Sequence, residues 1–354
     1  MPNLLTTFVQ RQVEAGAWRE EEVPPDISGL ARPIAIFRAI RKTDVITHAW
    51  HGDASTFCPP MWWDLGVGSG ACGLQCRACF LMLTHRAMRD PSRHVLYENV
   101  DDFARATQAW LCDPARRRQH TLGVGIDRSD SLLYEGITGH VRRLTGLFAR
   151  SDLNRQGNKL VLLTKSSNTH YLAEIPDAAR QHVVVTFSLN PEAVADAWEG
   201  KWIDGVIRTP SITRRLEAAR LAQDLGYEIR VRLDPILPIE RWEDHYTAFV
   251  AEVQAMGIVF RYWTLGSYRE KNAQLDGWRE RWGLPAMEWQ PGEDDLMQDG
   301  THRHLHPSRR IAIYRTVSEC IRQAFPDARI SLCKETHAIR KAIGLCNADC
   351  NCLR

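Results

Sequence analysis

Three cysteines crowd into the stretch "SGACGLQCRACFLM", Ser69 to Met82, where Cys72, Cys76 and Cys79 follow the spacing C-x3-C-x2-C. They come directly after a predicted strand whose end, "GVGSG" (66–70), is broken by glycines, so the thiols sit on a tight loop at a strand end. The glycines lack the spacing and the lysine of a phosphate-binding loop, and instead let the backbone approach a bound group closely. The chain carries ten cysteines in all. It shows no charged-then-apolar leader and no run near the roughly 20 apolar residues of a membrane span. A cytoplasmic protein with no membrane partner is the expectation. Disulfides are rare there, so clustered thiols point to metal or redox chemistry. Three thiols are one short of a closed zinc site or a fully protein-ligated iron–sulfur cluster. A [4Fe–4S] cluster held by three thiolates, with its fourth iron open to an outside ligand, accounts for the deficit. Buried structural thiols or a partial zinc site are the plainer alternatives.

The loop needs a scaffold. With 354 residues, 44% hydrophobic and 25% charged, the chain has ordinary globular composition. A formal net charge of +2 is well short of the balance that by itself marks a nucleic-acid binder. Predicted strands at Trp62 to Val67, Thr121 to Ile126, Leu160 to Thr164, His182 to Asn190, Glu228 to Leu233 and Ile258 to Leu265 alternate with amphipathic helices. One helix spans Thr209 to Leu225, with Thr209 as cap, Pro210 in the first turn, and Ile212, Leu216, Ala219 and Ala222 on one apolar face. Six βα units give an α/β fold, a partial (β/α)6 barrel at residues 56–270. Residues 1–55 read as an N-terminal extension. Residues 271–354 read as a C-terminal α/β region with a Cys-rich tail and one strong helix, Ser308 to Ala324. In a barrel, functional groups gather on the loops after the strands, which is where Asp127 to Asp130, Lys165 to Ser167, Ser188 with Asn190, and Asp234 fall.

The triplet followed by Phe80 resembles the signature of radical S-adenosylmethionine (AdoMet) enzymes. In that family the open iron binds the amino and carboxylate groups of AdoMet, whose reductive cleavage yields a 5′-deoxyadenosyl radical that takes a hydrogen atom from substrate. "IDRSD" (126–130), "LLTKS" (162–166), "VTFSLN" (185–190) and "FPDARISLC" (325–333) follow in the order of the spore photoproduct lyase family. The resemblance implies a barrel of radical AdoMet type, with Ser129, Lys165 and Ser188 at AdoMet-contacting positions and Asn190 beside them. It also implies a reductant such as flavodoxin or ferredoxin, and DNA repair as the family's work.

Two positions depart from the family. Asp127 stands where the lyase has its hydrogen-donating cysteine; a carboxyl O–H is too strong to donate a hydrogen atom, although it accepts protons and hydrogen bonds. Ala78 and Phe80 stand where the lyase has relay tyrosines. At the C-terminus, Cys333, Cys346, Cys350 and Cys352 offer four soft ligands for a second iron–sulfur cluster or zinc, or one tail thiol such as Cys346 as substitute hydrogen donor, or merely incidental thiols. The stretch "THRHLHPSRR" (301–310) reads as a solvated basic loop before a helix, the alternative being a strand with His302, His304 and His306 on one face for metal binding. "ARRRQH" (115–120) reads as an exposed helix end, with phosphate contact as the alternative, and Cys58, Cys112 and Cys320 as small core residues. Three functions compete. The first is a radical lyase-like enzyme acting on nucleic acid or a nucleotide-type molecule, with "GSYREKN" (266–272) contacting phosphates. The second is a radical oxidoreductase or epimerase of a free nucleoside, nucleotide or sugar, gripped at its hydroxyls by Asp127 and Asp234. The third is a non-catalytic iron–sulfur protein.

Overall fold

The computed structural model describes residues 11–49, 62–85, 94–114, 121–126, 128–199, 209–270, 275–283, 286–299 and 302–345. Its first strands, β1 (Trp18–Val23) and β2 (Ile34–Ala39), pair antiparallel. Then come β3 (Ile46–Ala49), β4 (Trp62–Leu65), the short β5 (Gly68–Ser69) and β6 (His94–Tyr97). From there strands and helices alternate: α1 (Val100–Cys112), β7 (Thr121–Val124), α2 (His140–Phe148), β8 (Lys159–Thr164), β9 (Val183–Ser188), α3 (Glu192–Trp198), α4 (Ile212–Asp224), β10 (Glu228–Ile236), α5 (Trp242–Ala255) and β11 (Tyr262–Ser267). The C-terminal part holds β12 (Arg269–Glu270), α6 (Leu275–Arg281), β13 (Leu296–Asp299), β14 (His302–Leu305), α7 (Pro307–Ala324), β15 (Arg329–Leu332) and α8 (His337–Ala342).

The main sheet has eight strands in the order β15-β11-β10-β9-β8-β7-β4-β3. All neighbours run parallel except β3, which is antiparallel to β4. Parallel strands are covered on both faces, which is why "VVVTFS" in β9 is apolar almost throughout and buried at every position. Helices supply the cover: Phe103, Trp110 and Leu111 from α1, Tyr246, Phe249 and Val253 from α5, and Ile313, Val317 and Ile321 from α7 all enter one core. Each such side chain contributes about 1.5–3 kcal/mol on burial. Parallel order puts every strand's C-terminal end on the same edge.

A second sheet, β1-β2-β6-β5, brings the N-terminal strands to the cysteine loop. Val23, Ile34, Ile36, Leu74, Leu96 and Tyr134 form a small core there, with Cys72 and Cys76 packed against it. Opposite, Arg310 pairs with Glu335 at 2.5 Å with both side chains buried, and the Tyr314 hydroxyl donates to the same carboxylate at 2.9 Å.

Local differences from the sequence reading have local causes. Helix α4 starts at Ile212, because the Ser211 hydroxyl reaches the Arg214 N–H and takes the capping role assigned to Thr209. The apolar face Ile212, Leu216, Ala219 and Ala222 is buried. Strand β11 begins four residues later than expected; Ile258 and Phe260 are buried in the connection before it. Of the stretch read as a basic loop, His302–Leu305 are strand β14, paired on both sides by β12 and β13 with His304 buried, and Pro307 onward already belongs to α7. Cys112 is exposed at the last residue of α1 rather than in the core, and Cys320 is half-buried with its sulfur 3.2 Å from the Thr247 hydroxyl. Cys58 and residues 115–120 lie outside the described residues. Among the described residues no helix is long and apolar enough to cross a membrane.

Candidate active site

The cysteine loop follows β5 and is held in place by backbone bonds from two distant parts of the chain. The Arg77 and Ala78 N–H groups donate to the Glu199 and Trp198 carbonyls at the end of α3, at 2.7 and 3.3 Å. On the other side, the Gly73 N–H donates to the Tyr134 hydroxyl at 2.8 Å. Within the loop, Cys79 N–H donates to the Cys76 carbonyl at 2.9 Å and Gln75 N–H to that of Cys72 at 3.0 Å, with Gln75 in the left-handed region at φ 49°. None of the three cysteines is in a disulfide, and all are half-buried. Burial pushes the Cys72 thiol well up, and pushes that of Cys76 up to about 12 against the pull of Lys165 and Arg215. Among the described residues no three His, Cys, Asp or Glu side chains converge as a metal cage.

Strand ends on the same edge contribute the rest. After β7, Ser129 lies 3.0 Å from His94 Nε2. Its neighbour Asp130 is a buried anchor: Oδ1 accepts from the Leu132 and Leu133 N–H groups and the Thr164 hydroxyl, and Oδ2 accepts from the Lys165 N–H at 2.7 Å. Burial raises the Asp130 carboxyl, while these donors hold it down. Lys165 leaves the end of β8 with its ammonium 2.5 Å from Glu199 Oε1. The Glu199 carboxylate is also gripped by both terminal nitrogens of the buried Arg215. Burial alone would raise Glu199; Arg215 and Lys165 overcome it and hold the carboxyl at about 2. Two cations and one anion leave this trio with a surplus positive charge beside Cys76.

A cavity of about 220 Å³ opens against the loop. Cys76, Ala78, Cys79 and Phe80 form one wall, Lys165 and Trp198 continue it, and Asp234, Ser267, Tyr268 and Arg269 close the far side. There Arg269 spends one guanidinium nitrogen on both Asp234 oxygens, each at 2.9 Å, and another on the Cys333 carbonyl at 3.2 Å. Arg232 adds a bond to Asp234 at 3.1 Å and one to the Cys333 sulfur at 2.7 Å. Tyr268 stands between Trp198 and Trp289, edge-on to both at 5.8 and 5.6 Å, and burial beside Glu270 and Asp276 pushes its phenol up to about 12.

A model of the spore photoproduct lyase family matches residues 33–259, more than half of the chain. The chain belongs to the spore photoproduct lyase family. It is therefore an enzyme of the radical AdoMet class. Family membership is joined by likeness of fold. Spore photoproduct lyase complexed with dinucleoside spore photoproduct superposes with a TM-score of 0.67 at 18% identity, over 84% of this chain and 82% of that one. A variant of that lyase with bound AdoMet and dinucleoside spore photoproduct gives 0.66 at 18%, over 83% and 81%. A comparison with curated proteins returned no match.

In this member of the spore photoproduct lyase family, the residues singled out from sequence do not all reach one place. Cys76, Cys79 and Lys165 line the cavity together with Ala78, Phe80 and Asp234. Ser129 lies on the side facing β6, and Ser188 is buried at the end of β9 with its carbonyl accepting from Arg215 at 3.2 Å. The Asn190 amide is engaged within the fold, donating to the Pro235 carbonyl at 3.2 Å and accepting from Tyr246 at 2.9 Å. Cys333 is buried against Arg232. Asp127, Cys346, Cys350 and Cys352 lie outside the described residues. Asp234, assigned to substrate hydroxyls, is already committed to two arginines. Sequence reasoning missed Glu199, Arg215, Arg269 and His94, whose partners at the site lie 16 to 64 positions away. A signal for His94 did exist in Gly68: a Cβ there would stand 2.1 Å from its Nε2.

Proposed function

We propose that this enzyme cleaves AdoMet reductively and abstracts a hydrogen atom from a nucleotide-type substrate, a lesion of the spore-photoproduct kind in DNA being the leading candidate. The observation that carries the reading is the cavity walled by Cys76 and Cys79 on one side and the Lys165 ammonium on another. The donor set fits a [4Fe–4S] cluster. Cys72, Cys76 and Cys79 share one loop; burial above all raises the Cys72 and Cys76 thiols, and the neighbouring thiols add to the rise. The positive surplus of Lys165 and Arg215 offsets the negative charge that deprotonated thiols bring. Cys72, Cys76 and Cys79 would hold the cluster, which in its reduced form would supply the electron for splitting AdoMet into methionine and a 5′-deoxyadenosyl radical.

The chain's own groups bind and shield. Lys165 exchanges its Glu199 contact for the AdoMet carboxylate; Arg215 keeps Glu199 paired when it does so. Ser129 and Ser188 complete the cofactor's polar contacts, and Asn190 fixes the turn after β9 through Pro235 and Tyr246. Phe80 and Trp198 keep water from the radical. The strand order supports a partial barrel open on the side of this cavity, and a flavodoxin or ferredoxin in the cytoplasm would deliver the electron. Cys333 and the tail cysteines stand as a second metal site or as the source of the hydrogen that ends the reaction.

Incubating the reduced, cluster-loaded enzyme with AdoMet and deuterated dinucleoside spore photoproduct tests the reading. Formation of 5′-deoxyadenosine carrying deuterium is expected. Label appearing only with a free nucleotide or sugar would move the substrate class. Undiminished 5′-deoxyadenosine from the variant with all three of Cys72, Cys76 and Cys79 replaced by Ala would sink the chemistry itself.

A further inference from the structure

We propose that His94 is a positioning residue which commits the Ser129 hydroxyl to accepting a hydrogen bond, making Ser129 the receptor for the ammonium group of AdoMet. This rests on the reading of Ser129 as a cofactor contact. His94 opens β6 and is fully buried. Antiparallel pairing of β5 with β6, Gly68 opposite Leu96 and Ser69 opposite Val95, brings its ring to the root of the cysteine loop. Nδ1 lies 3.1 Å from the Gly70 carbonyl oxygen, and Nε2 lies 3.0 Å from Ser129 Oγ. The ring is clamped in that pose. Tyr134 stacks on it at 5.3 Å with 5° between planes, and Tyr134 is itself tied to the loop by the Gly73 N–H. On the other side, only glycine at position 68 leaves room for the ring.

The partners dictate where the hydrogens go. A carbonyl oxygen can only accept, so Nδ1 carries the ring hydrogen. In a neutral imidazole the other nitrogen then offers a lone pair. The Ser129 hydroxyl hydrogen then points at Nε2, and what Ser129 has left to offer a ligand is oxygen lone pairs. Such an oxygen welcomes a donor and repels a carboxylate. Of the two charged groups on the methionyl part of AdoMet, the ammonium belongs at Ser129, and the carboxylate at Lys165. The same histidine joins the cofactor contact to the backbone two residues before Cys72.

Equilibrium dialysis of AdoMet against the cluster-loaded full chain tests this with Ser129→Ala, His94→Phe and the double variant, phenylalanine keeping the stack on Tyr134. Each single variant should raise Kd about tenfold or more, the scale of a hydrogen bond to a charged group. The double variant should bind no worse than either single one. An analogue of AdoMet lacking the amino group should bind all four proteins alike. Nitrogen NMR of the wild-type protein, with the His94 signal assigned by its loss in His94→Phe or His94→Asn, should show a neutral ring with hydrogen on Nδ1. Equal losses from His94→Phe in both Ser129 backgrounds would overturn the proposal, as would hydrogen on Nε2 or an amino-less analogue that responds like AdoMet. Unchanged binding in Ser129→Ala with a loss in Lys165→Ala overturns the Ser129 role alone. Unchanged binding in both removes the AdoMet reading.

Discussion

At the scale of single residues, one carboxylate carries two cations. Glu199 is buried, holds Arg215 through both oxygens and takes the Lys165 ammonium as well. Removing Lys165 leaves Glu199 paired, so Lys165→Ala should fold. It should weaken AdoMet binding by about 1.5–3 kcal/mol, the usual scale of a charge-assisted hydrogen bond. An unchanged dissociation constant in calorimetry would take Lys165 out of the cofactor site. Glu199→Gln is a different experiment, because it strands Arg215. Loss of about 3–5 kcal/mol is expected at neutral pH, the cost of breaking a buried pair by removing one partner. Since the folded-state value of Glu199 is about 2, below the ordinary 4.5, its stabilising contribution is present above pH 4.5 and fades as pH falls toward 2. Denaturant titrations of wild type and variant should converge over that window. Parallel curves down to pH 2 would contradict the pairing.

Elements explain what could be read in advance. The parallel strands were visible as short apolar runs because both faces of such a strand are covered, and "VVVTFS" needs no partner to declare itself. The C-x3-C-x2-C spacing is likewise local. What holds the loop is not local. Trp198, Glu199 and Tyr134 reach it only after the βα units between have folded, and nothing beside them in sequence marks those contacts. The strand at "HRHL" ranked below a loop for a related reason: its partners β12 and β13 are two and four residues long, too short to show a period. Asn190 shows the converse, a polar strand-end residue whose amide the fold itself engages. At this scale Gly68→Ala is informative. Its Cβ would displace the His94 ring, with a stability loss of about 1–3 kcal/mol as for other overpacked sites. Thermal melts should show it, and Gly68→Ala in a His94→Ala background should recover most of the loss.

Across the whole molecule, the proposed radical reaction at Cys72, Cys76 and Cys79 needs a way to end: a tail thiol, a second cluster on the tail, or hydrogen taken back from 5′-deoxyadenosine. Neither Ala78 nor Phe80 on the cavity wall carries a weak X–H bond to return a hydrogen atom. A variant with Cys346, Cys350 and Cys352 replaced by Ala should therefore form 5′-deoxyadenosine yet stall before product, and its iron content tells a lost second cluster from a lost thiol donor. Full turnover on spore photoproduct with unchanged iron would dispense with the tail. The buried pairs Arg215–Glu199 and Arg310–Glu335 carry one last consequence, for ionic strength. Counterions screen charges that water reaches, with a Debye length of about 10 Å at 0.1 M, and reach buried pairs far less. Contacts to a phosphate backbone, in contrast, weaken steeply as salt rises. With DNA as the proposed substrate, raising potassium chloride from 50 to about 200 mM should strip it from this enzyme while leaving AdoMet affinity and melting temperature nearly unmoved, so that salt alone separates grip on the polymer from integrity of the site.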